Sequence, residues 1–263
     1  MLNDSNFVYG ILIPFLGTTL GSALVFFMKN NIPRIVERGI YGFASGVMVA
    51  AAVWSLILPA LEYSEESSGG SSVFLVAGGF LFGTFLLLFL DHVIPHQHLN
   101  SKDDEGPSTH LTKNAKLALA VTLHNVPEGM AVAVSYVAFT RTFSDNVSLS
   151  LMPLVIGIAV QNIPEGTIIS LSDRLSGKSK LHAFGMGVAS GAVEPIAFLL
   201  TVIASSFVLS ILPFLLAAAA GAMIYVVIEE LVPDMAQGKH SDIGPIMFAI
   251  GFSLMMVLDV AFG

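Results

Sequence analysis

The sequence predicts an all-α polytopic membrane protein with eight transmembrane helices and both termini outside the membrane. Hydrophobic residues make up 54% of the 263 residues and charged residues only 11%, too few to cover a soluble globule. Eight apolar segments lack Lys and Arg and have the about 20 residues that cross a bilayer. These predicted spans, numbered 1 to 8, are 7–28, 39–61, 73–94, 117–139, 151–172, 181–207, 211–232 and 243–262.

The basic residues predict the orientation of the spans. Short loops rich in Lys and Arg stay in the cytoplasm. Lys and Arg follow spans 1, 3, 5 and 7, whereas only Arg141 falls on the opposite side. No positive charge precedes span 1, so an N-out first span is expected rather than a cleaved signal peptide. We therefore expect a single multi-pass transmembrane domain over residues 1–263, in the cell membrane (inner or plasma membrane).

The longest connection, residues 95–116, is polar and lies on the cytoplasmic side in this topology. It carries His96, His98 and His110. One interpretation is a solvated connector. The other is a weak metal-acceptor loop, because His92 and His96 lie four residues apart at a helix end. The sequence does not decide between them.

A duplicated motif carries the chemistry of the chain. His-Asn-x-Pro-Glu-Gly at 124–129 in span 4 recurs as Gln-Asn-x-Pro-Glu-Gly at 161–166 in span 5. Residues three and four apart share one face of a helix, so each motif gathers its polar side chains. These candidates are His124, Asn125 and Glu128, then Gln161, Asn162 and Glu165, with Glu194 added by span 6.

The cost of burying these carboxylates favours a bound cation. Three unpaired carboxylates at the bilayer centre cost roughly 8–10 kcal/mol on insertion scales, and no span contains Lys or Arg. Protonation, water and a cation are the remaining forms of compensation. The accompanying imidazole and amides favour the cation, since protonation alone does not require them. Structural hydrogen bonding is the alternative.

The ligand types narrow the choice of ion. The chain has no cysteine, so no thiolate site exists. Imidazole with carboxylate and amide oxygens suits zinc, iron(II), manganese, cobalt or cadmium better than copper(I) or calcium. Each carboxylate has two oxygens, so Glu128 and Glu165 can bridge two ions.

Spans 2 and 7 carry a faint internal repeat. Gly46-x-Met48 leading to Pro59 resembles Gly221-x-Met223 leading to Pro233. Because the two spans run in opposite directions, this indicates an inverted repeat, an architecture common among secondary transporters.

Together, these motifs resemble those of the ZIP (Zrt/Irt-like) family of metal transporters, particularly its bacterial GufA-like branch. The resemblance covers essentially the whole chain. It implies a 3+2+3 arrangement of spans with an inverted repeat, and uptake of divalent metal, zinc first, into the cytoplasm. It also implies movement of spans 1, 4, 5 and 6 against spans 2, 3, 7 and 8. The implied two-metal site has one set of His124, Glu128, Gln161 and Glu165 with Met48 as a further candidate, and a second set of Asn125, Glu128, Asn162, Glu165 and Glu194.

Two other classes are considered. A membrane di-metal enzyme lacks support, because the Glu-x-x-His and His-Glu-x-x-His patterns are absent, so no enzyme activity is expected. A proton-coupled carrier of another small substrate is the stronger alternative. Expected partners are divalent metal ions and the lipid bilayer, not nucleic acid, with a homodimer as one candidate assembly. The sequence does not rank zinc, cadmium, iron(II) and manganese.

Overall fold

The computed structural model describes residues 5–27, 33–68, 72–93, 113–142, 147–236 and 241–262. Within these ranges it is almost entirely helical and contains no strand, which confirms the all-α prediction. Some helical side chains, including that of His124, lie outside the description. The spans are Ser5–Ala23 (1), Arg34–Ala51 with Leu58–Ser68 (2), Ser72–Val93 (3), Lys113–Thr142 (4), Val147–Leu175 (5), Lys180–Gly191 with Val193–Ile203 (6), Leu212–Val226 with Val232–Ala236 (7) and Ile243–Phe262 (8).

These helices suit a multi-pass membrane protein. Seven spans, all except span 4, are found long and apolar enough to cross a bilayer when only described residues are considered. Span 4 is a helix of 30 residues, about 45 Å at roughly 1.5 Å per residue, against about 30 Å of hydrocarbon. Large apolar side chains such as Phe74, Leu181 and Ile203 are exposed on the outer surface, where lipid is their expected neighbour.

Spans 2 and 7 share a local irregularity. Span 2 is π-helical over Ala52–Ile57, and span 7 is π-helical over Val227–Leu231. A proline, Pro59 or Pro233, follows two residues after each segment. Proline has no N–H and clashes with the carbonyl four residues before it, so the hydrogen-bond ladder shifts upstream of each proline. The faint sequence repeat therefore has a structural counterpart.

Helix packing divides the spans into two bundles. Spans 1, 4, 5 and 6 pack on one another and form the 1-4-5-6 bundle, while spans 2, 3, 7 and 8 form the 2-3-7-8 bundle. Between the bundles, span 5 contacts spans 2 and 8, and span 4 contacts span 7. Both duplicated motifs and Glu194 therefore belong to the same bundle.

Candidate metal centre

The described polar side chains of the two motifs are buried inside the 1-4-5-6 bundle. Pro127 and Pro164 lie within helices that continue through them, so the spacing of each motif keeps its side chains on one helix face. The six described polar site residues are each 6% exposed or less. They are Asn125, Glu128, Gln161, Asn162, Glu165 and Glu194.

Two side-chain amides of span 5 donate hydrogen bonds to carboxylates of spans 4 and 6. Gln161 Nε2 of span 5 donates a hydrogen bond to Glu128 Oε1 of span 4 at 2.7 Å. Asn162 Nδ2 donates to Glu194 Oε2 of span 6 at 2.9 Å. Each amide therefore turns its nitrogen towards a carboxylate and leaves its oxygen available as a ligand.

Four acceptor oxygens of this cluster are buried without a hydrogen-bond partner among the described residues. They are Asn125 Oδ1, Glu128 Oε2, Gln161 Oε1 and Asn162 Oδ1. A buried polar atom without a partner costs about 1–3 kcal/mol, and more when the group is charged. Four such oxygens in one cluster call for a group that accepts their lone pairs, and a cation does this directly.

The carboxylates interact with one another as well. Glu128 lies within electrostatic range of Glu165 and Glu194. Among described residues, no three His, Cys, Asp or Glu side chains are placed to hold a metal ion by themselves. An ion site built from the described residues therefore needs donors in addition to these carboxylates, and the amide oxygens are available for this.

The two remaining predicted ligands are His124 and Met48. His124 belongs to the helix of span 4, but its side chain lies outside the described residues. Met48 of span 2 is buried in the hydrophobic core, and its burial fits packing as well as ligation. The predicted acceptor loop lies outside the described residues over 94–112, while His92 is exposed and its ring bonds to the carbonyl oxygen of Leu88.

Span 1 contributes residues that the sequence reasoning missed. Thr18 Oγ1 donates to Glu194 Oε1 at 2.9 Å, and the carbonyl oxygen of Pro14 lies 3.4 Å from Asn162 Nδ2. Polar residues in the otherwise apolar span 1 were the available signal. Span 1 therefore forms one side of the site.

The glycine that ends each motif has a packing role. A Cβ at Gly129 would overlap the backbone carbonyl of Glu194, and one at Gly166 would overlap the carbonyl oxygen of Thr18. These glycines bring spans 4 and 5 against spans 6 and 1 at the level of the carboxylates. Small residues at such contacts let helix backbones approach closely.

An apolar cavity of about 140 Å³ lies on the far side of span 4. Val126, Pro127 and Met130 line it together with residues of spans 3 and 7. Helical geometry places these positions roughly opposite Asn125 and Glu128. Its lining contains no charged side chain, so it offers no ligands to a cation.

Gln161 offers an amide oxygen at the motif position where the first copy, with His124, offers an imidazole nitrogen. Oxygen is the harder ligand, so Gln161→His is expected to raise zinc affinity relative to manganese by about 1–2 kcal/mol, the size of coupling between contacting residues. Competition between the two ions in binding and uptake assays measures this. An unchanged zinc-to-manganese ratio would remove Gln161 from the ligand set.

Fold and site together define a class: a multi-pass helical membrane protein with a buried carboxylate and amide cluster at the centre of one bundle. Comparison with known proteins narrows this class to one family. Residues 95–259 match the family model for the ZIP zinc transporter. The chain is 32% identical to human zinc transporter ZIP11 over 94% of each chain. It is 34% identical to zinc transporter ZIPB of Bordetella bronchiseptica, over 95% of this chain and 79% of ZIPB, and 33% identical to zinc transporter GufA of Myxococcus xanthus, over 94% and 96%. The chain belongs to the ZIP family.

Proposed function

We propose that this protein transports divalent transition-metal ions, zinc first among them, across the membrane into the cytoplasm. The observation that carries the proposal is a cluster with three buried carboxylates, in which four acceptor oxygens have no hydrogen-bond partner among the described residues. Relatives over most of the chain are named zinc transporters. An oxygen-rich site in the middle of a membrane domain suits an ion that must be bound and then released, because ligands that bind too tightly slow its departure.

Two ions share the proposed site. The first is held by His124, Glu128, Gln161 and Glu165, with Met48 as a further candidate; the second by Asn125, Glu128, Asn162, Glu165 and Glu194. Hydrogen bonds from amides to Glu128 and Glu194 support both sets, because they orient each carboxylate and leave amide oxygens available.

Alternating access in this proposal arises from movement of the 1-4-5-6 bundle against the 2-3-7-8 bundle. The described glycines support two rigid bodies. At several glycines an added Cβ would overlap the backbone oxygen of a neighbouring helix, and in each case both helices belong to the same bundle. Gly21 meets Ile163 in the 1-4-5-6 bundle, and Gly46 meets Phe248 in the 2-3-7-8 bundle. Across the boundary, Gly157 of span 5 instead meets the thioether of Met255 in span 8. A flexible side chain yields more easily than a backbone, so this boundary is suited to sliding.

The same glycine contacts support the 3+2+3 inverted repeat. In the 2-3-7-8 bundle, the contact of Gly46 in span 2 with Phe248 in span 8 corresponds to that of Gly221 in span 7 with Phe80 in span 3. Likewise, the Gly251–Phe43 contact corresponds to the Gly83–Ala218 contact at the same residue offsets. With the paired π-helical segments, these contacts suit two halves of opposite orientation.

Membrane orientation is tested by single cysteines, because the chain contains none of its own. With both termini outside, cysteines at Ser67 and Ser144 should react with an impermeant thiol reagent on intact cells. One at Ser108 should react only after permeabilisation, because Lys and Arg keep its loop in the cytoplasm. The reverse labelling pattern would overturn both the orientation and the direction of uptake.

Transport itself is tested with purified protein in liposomes loaded with a zinc-sensitive dye. Zinc is expected to enter faster than in protein-free liposomes, and cadmium, manganese and iron(II) are compared in competition with it. A panel of small organic solutes with an imposed proton gradient serves as the contrast. Solute uptake without zinc uptake would favour the proton-coupled carrier and reject the metal transporter.

A further inference from the structure

Glu194 is the most completely oriented carboxylate of the described site. It is 2% exposed, and each of its oxygens accepts one hydrogen bond. Asn162 of span 5 supplies one donor and Thr18 of span 1 supplies the other, both at 2.9 Å. A carboxylate has about four lone-pair positions on its two oxygens, so both oxygens keep lone pairs for an ion while the two donors fix the plane of the group.

Thr18 differs from several other buried hydroxyl groups among the described residues, because its hydroxyl donates to a carboxylate and theirs donate to backbone carbonyls. A Thr or Ser inside a helix commonly donates back to a carbonyl of its own turn. Thr201 donates to Ala197 O at 2.8 Å, and Ser22 donates to Thr18 O at 2.7 Å. Thr18 is fully buried and donates across the bundle to Glu194 instead.

The surroundings of Thr18 hold its side chain in place. A Cβ added at Gly191 of span 6 would lie 2.8 Å from Thr18 Cβ. Span 5 reaches the backbone of Thr18 through Gly166. Because Gly166 and Gly191 have no side chain, spans 5 and 6 pack directly against Thr18. Its hydroxyl therefore has little freedom to turn away from Glu194.

We propose that Thr18 is a positioning residue that holds Glu194 in the geometry required by the second ion, and so sets the affinity of that ion. This inference rests on the proposed function and on its second ligand set. A ligand that is already held in its bound orientation loses less conformational freedom when the ion arrives. Without the hydroxyl, Glu194 Oε1 loses its donor and the carboxylate can rotate out of position.

Replacement of Thr18 by valine, which has nearly the same shape, tests this inference. Zinc titration of purified protein in detergent should show two bound ions in the wild type. Thr18→Val should weaken the second ion by about 10–100-fold, the usual effect of losing a group that orients a ligand, and raise the KM of uptake more than it lowers kcat. Thr18→Ser keeps the hydroxyl and should restore both values.

Two controls separate positioning from packing. Thr201→Val removes a buried hydroxyl that serves only its own helix, and should leave both ions bound as in the wild type. In a Glu194→Gln background, adding Thr18→Val should change zinc affinity no further, because the two residues act as one unit. If the valine variant fails to fold, Thr18→Ala removes the same hydroxyl and takes its place in the cycle.

Several results would overturn the inference. They are a single bound zinc ion in the wild type, equal losses in Thr18→Val and Thr201→Val, or additive effects in the Glu194→Gln background. If Glu128→Ala stops uptake while Thr18→Val binds two ions normally, only the role of Thr18 fails. If Glu128→Ala transports zinc like the wild type, the proposed function fails.

Discussion

Replacing Glu128 or Glu165 by alanine is expected to abolish metal uptake while the protein remains folded and inserted. Both carboxylates are shared by the two proposed ligand sets, so either change removes a ligand from both ions. We expect uptake to fall by at least about 100-fold, beyond the 10–100-fold typical for groups that only orient ligands. Zinc flux into liposomes measures the effect, and size-exclusion profiles with membrane fractionation confirm the fold.

The neutral variant Glu128→Gln distinguishes a ligand from a structural group. Glu128 is buried, interacts with two other carboxylates and has one oxygen without a partner among the described residues. Removing its charge should therefore not lower the unfolding midpoint in metal-free buffer, although uptake is lost. The exposed residue Glu62 serves as the matched control, because Glu62→Gln should transport normally. Wild-type flux in Glu128→Ala or Glu165→Ala would reject the assigned site.

Introducing a methyl group at the last glycine of either motif should also stop transport, by separating helices rather than by removing ligands. In Gly129→Ala and Gly166→Ala the new Cβ would overlap a backbone oxygen, which cannot turn aside as a side chain can. Overpacking of this kind typically costs about 1–3 kcal/mol. It also moves span 4 away from Glu194, or span 5 away from Thr18. We expect a lower unfolding midpoint and a loss of uptake of at least about tenfold, which is equivalent to about 1.4 kcal/mol.

The chain offers glycines that control for the substitution itself. Apart from the backbone of its own helix, no described atom lies within 4 Å of an added Cβ at Gly78 of span 3 or Gly185 of span 6. Gly78→Ala and Gly185→Ala should be neutral or stabilise their helices by up to about 1 kcal/mol, because alanine has the higher helix propensity. Normal uptake and an unchanged midpoint in Gly129→Ala and Gly166→Ala would mean that close approach at the motifs is not required.

The sequence by itself determined the membrane class and the identity of the candidate polar residues. Both depend on local properties. Hydropathy over about 20 residues marks a span, and a spacing of three or four places side chains such as Asn125 and Glu128 on one helix face. The ends of the helices were less well predicted. Span 2 was expected at 39–61, but its helices run from Arg34 to Ser68, because a helix continues past the apolar residues that mark the membrane.

Only the tertiary structure decided which helices meet and how the buried groups are oriented. Thr18 and Glu194 are 176 residues apart in the chain, so no local pattern connects them. The direction of each amide depends on a hydrogen bond that it donates between spans, and this direction leaves Gln161 Oε1 without a partner among the described residues. The same is true of Gly129 and Gly166. Each position requires a hydrogen in place of a side chain because a neighbouring backbone lies against it, and this contact exists only once the bundle has packed.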